Sequence, residues 1–152
     1  MEKLNLDFIA GLIVGEGTFY WTRSPRGKIP AFALRMHVRD KELVTAVRDS
    51  LGLKRERIYE YTHNNRHYAF LIVRNIGSLK NAIIPLVYPR LQGYKLEQFR
   101  VWFDGFYNPD IAEGYAFFPN AFRLRFPELC RRDVEHNSLL DGAGIEPAAS
   151  AM

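Results

Sequence analysis

Cysteine is almost missing from this chain, with Cys130 the single residue of its kind among 152. One thiol closes no internal bridge, so a disulfide scaffold is excluded, and Cys130 reads as a passive residue in a reducing interior. No apolar run reaches the length of about 18 residues that a transmembrane helix needs. The start, MEKLNLDF, has no signal-peptide layout, so the expectation is an intracellular protein that is not secreted and meets no membrane. His37, His63 and His67 lack the spacing and the companions of a zinc site. No internal sequence repeat is evident.

What the chain does have is apolar bulk and a lopsided charge. Hydrophobic residues make up 47% and aromatics 14%, enough for a real core. The expectation is one domain over 1–132, followed by a tail over 133–152 that is poor in large apolar residues and reads as mobile. The formal charge is +4, but residues 18–74 hold 12 Lys and Arg against 5 acids, and residues 109–152 hold 4 against 7. A basic block beside an acidic one suits a polyanion-binding face, and equally an ordinary solvated surface.

Alternation and helical periodicity set the element order. TFYWTR (Thr18 to Arg23) is β-branched and aromatic, and reads as a strand. SPRGKIP (Ser24 to Pro30) reads as a long charged loop. AFALRMHVR (Ala31 to Arg39) alternates, with Phe32, Leu34, Met36 and Val38 on one face and Ala33, Arg35, His37 and Arg39 on the other. Asp40 is positioned to cap a helix over Lys41 to Leu51, which Gly52 ends. A second hairpin follows, Ile58 to Thr62 and His67 to Val73, around the tip HNNR. Helices are expected over Ile76 to Ile84, near Pro85, and over Tyr94 to Tyr107, before Asn108-Pro109. The aromatic segment Tyr115 to Phe126 suits either packing on the body or contact with nucleic acid. This order implies an α+β fold, a four-stranded antiparallel sheet with helices packed on one face and bases on the other.

The chain is organised around Asp7 to Gly17, DFIAGLIVGEG. Phe8, Ile9, Leu12 and Ile13 cover more of a helix than one stripe, so this helix should be buried on more than one side. Gly11 and Gly15 each cost a helix about 1 kcal/mol, which close approach of another backbone would justify. Gly17 suits the left-handed position that ends a helix. Glu16 stands at the negative end of the helix dipole, where an acid is unfavourable unless a cation reverses the sign.

Ile9 to Gly17, IAGLIVGEG, resembles the signature of the LAGLIDADG homing endonucleases: Ala10, Gly11, Leu12, Ile13 and Gly17 match it, and Val14 replaces an Asp at a variable place. The resemblance covers roughly Leu6 to Tyr107. It implies site-specific, metal-dependent cleavage of both strands of a long, partially palindromic double-stranded DNA target, with Mg²⁺ or Mn²⁺ as cofactor, by an enzyme of the intron- or intein-encoded type. It implies that Glu16 and the carbonyl of Gly15 bind the metal. Lys95, within Lys95-Leu-Glu-Gln98, would stand by the attacked phosphate, and Asp40 would stand where the family usually has an amide. With one motif, the resemblance further implies a homodimer joined through Ala10, Gly11, Ile13 and Val14.

One carboxylate per subunit suffices for Mg²⁺ when two subunits meet, since that ion fills its shell with water and phosphate oxygens. The base-reading face would be Tyr20, Thr22, Arg35, His37 and Arg39, with Arg26 and Lys28 from the loop. His37, His63 and His67 read as DNA-contacting or solvated. Tyr59, Tyr61 and Tyr68 suit core and groove equally. An RNA-splicing maturase and a non-catalytic DNA-binding regulator on the same fold stay open.

Overall fold

The computed structural model describes residues 2–130; the tail expected over 133–152 lies outside them. The described chain forms two compact units, one of residues up to Thr22 together with Pro30–Phe99, the other of Arg23–Ile29 and the residues from Arg100 onward.

The first unit begins with α1, Leu6–Glu16. Asn5 caps it, its side-chain oxygen accepting from the N–H groups of Asp7 (2.7 Å) and Phe8 (3.3 Å). Ile9, Ala10 and Ile13 are buried, while Phe8 and Val14 stay 49% and 36% exposed. Within the described chain α1 is therefore covered on one side only, against α4. Gly17 departs from the expected left-handed cap. Its φ of −82° and ψ of 162° are extended, and it opens β1 directly. Glycine is needed there for room, because a Cβ would lie 2.7 Å from Ile13 Cγ2 and 2.9 Å from the Ile13 carbonyl oxygen.

Four strands follow: β1 (Gly17–Ser24), β2 (Gly27–His37), β3 (Ile58–His63) and β4 (Arg66–Val73). They form one antiparallel sheet in the order β1-β2-β4-β3. The long loop expected between β1 and β2 contracts to a turn at Pro25 and Arg26, because the strands run on to Ser24 and from Gly27. At the other hairpin Asn64 and Asn65 both have positive φ (51° and 63°), the requirement of the tight turn whose twist matches the strands.

Register fixes the faces. Phe32 pairs with Val73, Leu34 with Leu71 and Met36 with Ala69, and Ile58 and Glu60 of β3 share their parity. On β1, Phe19 belongs with them, its ring 5.3 Å from Phe32 and 5.2 Å from Phe99. Helices close this side: α2 (Lys41–Ser50) packs on β4, with Val44 and Val47 buried.

Three expected boundaries move. β2 ends at His37, and Val38–Asp40 is a 3₁₀ turn capped by His37, whose Nδ1 accepts from the Arg39 N–H at 3.1 Å. Asp40, expected to cap α2, makes no side-chain cap bond, since the chain already enters it in a turn. The third helix does not stop at Pro85. It runs as α3 (Ile76–Ser78), a π-helical stretch Leu79–Ile83 and α4 (Ile84–Val87). The wider turn lies immediately ahead of Pro85, where an α-helical turn would meet the proline ring. α5 (Gly93–Asp104) follows a glycine-initiated turn at Gly93, φ +67°.

In the second unit the aromatic segment resolves as packing. Phe118 and Phe122 are buried, with ring centroids 4.5 Å apart, and Phe103 lies 5.3 Å from Phe118. α6 (Asn120–Arg125) carries Phe122 inward and leaves Leu124 out, and Phe117 is also exposed. Cys130 is buried.

Candidate nucleic-acid interface and metal-binding acid

The sheet face opposite the helices is open at Arg35, His37, Tyr59, His63 and Arg66, and buried at Ala33. By alternation from Phe19 it carries Thr18, Tyr20 and Thr22 of β1. By register it carries Ala33, Arg35 and His37 of β2, Tyr59, Tyr61 and His63 of β3, and Arg66, Tyr68, Phe70 and Ile72 of β4. Tyr20, Thr22, Arg35 and His37 thus lie where the sequence expectation put them. Arg39 does not, because β2 ends before it and the residue sits exposed on the 3₁₀ turn. Arg26 and Lys28 belong to the second unit; the Arg26 N–H donates to Ser24 Oγ at 3.3 Å, and Ser24 Oγ donates to the Gly27 carbonyl at 2.7 Å.

The tyrosines whose side was undecided fall on this open face. Tyr61 lies 5.3 Å from Tyr68 and 5.5 Å from Phe70, and the Arg57 guanidinium sits 5.2 Å from the Tyr59 ring centroid. Of the other histidines, His63 is on the open face and His67 is on the other parity, 3.5 Å from the Glu60 carboxylate.

Glu16 and Gly15 end α1, both exposed. Lys95, 79 positions on from Glu16, comes to the same place: its ammonium donates to the carbonyl of Gly17 and, at 3.0 Å, to Gln98 Oε1. Burial pushes the Lys95 ammonium below its ordinary pKa. Arg35 is pushed the other way, first by the bond to the Tyr61 hydroxyl, with Tyr68 and Glu16 adding to it. Glu16 is therefore within electrostatic reach of the open sheet face. Asp40, on its 3₁₀ turn, is half-buried, and Lys41 beside it pairs instead with Glu60.

Glu16 offers a hard, anionic oxygen beside peptide carbonyls, the donor chemistry that Mg²⁺ or Mn²⁺ takes. Among the described residues no cluster of three or more His, Cys, Asp or Glu is placed to enclose an ion. Glu16 with the carbonyls beside it would supply part of such a shell.

The outward side of α1 forms the last feature. Asp7, Gly11 and Val14 line a groove of about 510 Å³ with Pro89, Arg90 and Gln92. Arg90 Nε donates to Asp7 Oδ1 at 3.1 Å across it. A Cβ at Gly11 or Gly15 would meet nothing within 4 Å. Of the expected interface residues, Gly11 and Val14 face this way, whereas Ala10 and Ile13 are consumed by the chain's own core.

Solved structures share this architecture. I-GzeII, a LAGLIDADG homing endonuclease in complex with its DNA target, is 18% identical over 87% of this chain and 44% of its own, with a TM-score of 0.62. The LAGLIDADG meganuclease I-CpaMI, bound to uncleaved DNA, is 18% identical over 67% of this chain and 37% of its own, at 0.57. The group I intron-encoded homing endonuclease I-CeuI, complexed with DNA, is 18% identical over 68% and 56%, at 0.55. The chain thus spans about half or less of the length of these neighbours. No family model matches the sequence, and no curated protein matches it. The chain has the fold of the LAGLIDADG homing endonucleases. No helix of the described residues is long and apolar enough to cross a membrane.

Proposed function

We propose that this chain is a site-specific DNA endonuclease that uses Mg²⁺ or Mn²⁺ and works as a pair of copies on duplex DNA. The observation that carries the reading is the placement of Glu16 at the end of α1, next to Gly17, whose carbonyl takes the Lys95 ammonium. A structural acid at a helix C-terminus is opposed by the dipole, and a half-buried lysine has a desolvation cost; a scissile phosphate with its cation offsets both.

Glu16 would hold the divalent ion, with the Gly15 carbonyl beside it. When bound, such an ion lowers the pKa of a coordinated water and polarises the phosphate. The Lys95 ammonium, already desolvated and held by the Gly17 carbonyl and Gln98, has a donor left to orient the attacking water or to meet charge on a phosphate oxygen. Water oxygen bonds to phosphorus, the bond to the leaving oxygen breaks, and the sheet face holds the duplex in place. A ribbon of strands fits the major groove, where arginine reads guanine.

Pairing rests on the open side of α1. Gly11, Val14 and Gly15 leave room for a second helix at close range, and a second copy supplies the second acid. Glu16→Gln should abolish cleavage measured in Mg²⁺ and leave binding in Ca²⁺ largely intact. Cleavage near the unsubstituted rate removes Glu16 as metal ligand. Light scattering on the DNA complex checks the pairing, and both strands cut by a monomer would overturn it.

A further inference from the structure

Arg35 stands on β2, one of the two central strands, and its guanidinium meets Tyr68 of the adjacent β4 and Tyr61 of β3 beyond it. Nη1 donates to the Tyr61 hydroxyl at 3.3 Å, and the guanidinium carbon lies 4.7 Å from the Tyr68 ring centroid. The two rings support each other at 5.3 Å, and Tyr61 leans on Phe70 at 5.5 Å. The register places the parts: His37 opposite Tyr68, Arg35 opposite Phe70, and Tyr61 opposite Tyr68 on the far side. All five side chains are on the open face.

A long exposed arginine ordinarily loses rotamer freedom when it binds, and loses it whichever base it meets. Here the loss is already incurred in the free protein. The Tyr68 ring lies against the guanidinium and the Tyr61 hydroxyl ties Nη1, and the two contacts together restrict the fork. Most of the guanidinium donors remain for a ligand. Tyr61 accepts through its oxygen and still has its own proton to donate. Guanine presents O6 and N7, the paired acceptors such a fork fits, and a fork that cannot swing to another partner rejects adenine, whose N6 amino group is a donor.

We propose that Tyr61 and Tyr68 are positioning residues that make Arg35 a rigid reader of one guanine per half-site in duplex DNA. This rests on the endonuclease reading above, and deepens it by naming what one part of the sheet face selects.

The test uses the full chain, a duplex library randomised over the target, and Ca²⁺ so that binding is read without cleavage. The unsubstituted chain should prefer guanine at the position Arg35 governs by about 10- to 100-fold, the range of a good bidentate contact. Arg35→Ala should erase that preference at that position alone. Tyr61→Phe keeps the ring and removes only the hydroxyl; it should cut the preference about 5-fold or more at that position and leave the base preferences at the other positions of the target in place. Tyr68→Leu, which removes the stacking surface, should do the same. Unchanged base preference in Tyr61→Phe and Tyr68→Leu overturns the proposal while leaving DNA recognition standing. A loss spread evenly over all sequences in Arg35→Ala overturns it too, and makes Arg35 a phosphate contact. Failure of the unsubstituted chain to select any duplex removes the endonuclease reading and this inference together.

Discussion

The two faces of the sheet are both rich in aromatic and aliphatic side chains, yet one is closed and the other open. On the closed face Phe19, Phe32, Leu34 and Leu71 are at most 4% exposed, under α2 and the other helices of the first unit. On the open face the aromatics are tyrosines with Phe70, partly exposed and interleaved with Arg35, His37, His63 and Arg66. A phenylalanine has nothing to lose in a dry core, whereas a tyrosine hydroxyl needs a partner and an arginine needs water or an anion. Pleat alone sorts the residues to the two sides; their polar atoms decide which side the helices cover.

The largest effect should come from the closed face. Phe32→Ala removes a fully buried ring against Phe19, and truncations of this kind cost about 3–5 kcal/mol. Tyr59→Ala on the open face, from a residue 46% exposed, should cost under about 1 kcal/mol. Urea unfolding of the two variants measures the contrast. Equal losses would mean that the open face is structurally covered and not a binding surface.

Lys95 sits at the seam between the covered helices and the exposed end of α1, and sharpens the comparison next. Lys95→Met should slow cleavage by about 10²-fold, the scale of one positioned charge, with DNA affinity little changed. Burial lowers the pKa of Lys95, so the folded protein holds this proton less tightly than the unfolded chain does. The stability lost to burying the charge is therefore largest below the folded pKa and recovered as pH rises through it. A rate that needs the ammonium should fall on the basic side at a lower pH than an ordinary lysine would give. Lys95→Arg, which keeps its charge, should carry that limb to higher pH. A pH–rate profile that is the same in both proteins would deny Lys95 its role at the phosphate.

These contrasts also mark what was legible in the residues. Period-two alternation in Ala31 to Arg39 was enough to put Phe32 and Arg35 on opposite faces, and the Asn-Asn tip was enough for the second hairpin. The side taken by Tyr59, Tyr61 and Tyr68 was not legible, because tyrosine suits either environment and only the pairing with β4 decides. The strand end at His37 was missed because its imidazole caps the following turn, a bond with no periodic signature. Extended backbone at Gly17 was missed because glycine fits a cap and a crowded corner equally well; the crowding by Ile13 exists only once α1 and β1 are in place. The passage of the helix through Pro85 depends on a local π turn that the proline rule does not anticipate. Lys95 was reached only through the resemblance. Nothing in its neighbouring sequence points back to the end of α1, and tertiary packing alone brings its ammonium to the Gly17 carbonyl beside Glu16.

Glu60 gives the smallest effect and the finest test of the comparison. By register it has the parity of the closed face, opposite Ala69, but β3 is an edge strand and Glu60 is exposed there. It pairs with Lys41 of α2 and faces His67 at 3.5 Å. A charge on the inward parity of an edge strand also discourages pairing with another sheet. Its carboxyl is held below the ordinary glutamate range, chiefly by the hydrogen bond and charge of Lys41 and less by His67. A carboxylate depressed in the folded state adds stability above its unfolded pKa, and that stability is lost as pH falls through the folded value. Glu60→Gln should therefore be slightly less stable than the unsubstituted chain at neutral pH and low salt. The gap should close in acid below the glutamate range, and also at high salt, where exposed pairs are screened. Paired thermal melts across pH and salt read this directly. If parity alone made a residue part of the core, Glu60→Gln would rival Phe32→Ala and ignore salt. The exposure of Glu60 says that coverage by a helix, not the direction of the pleat, is what turns a sheet face into a core.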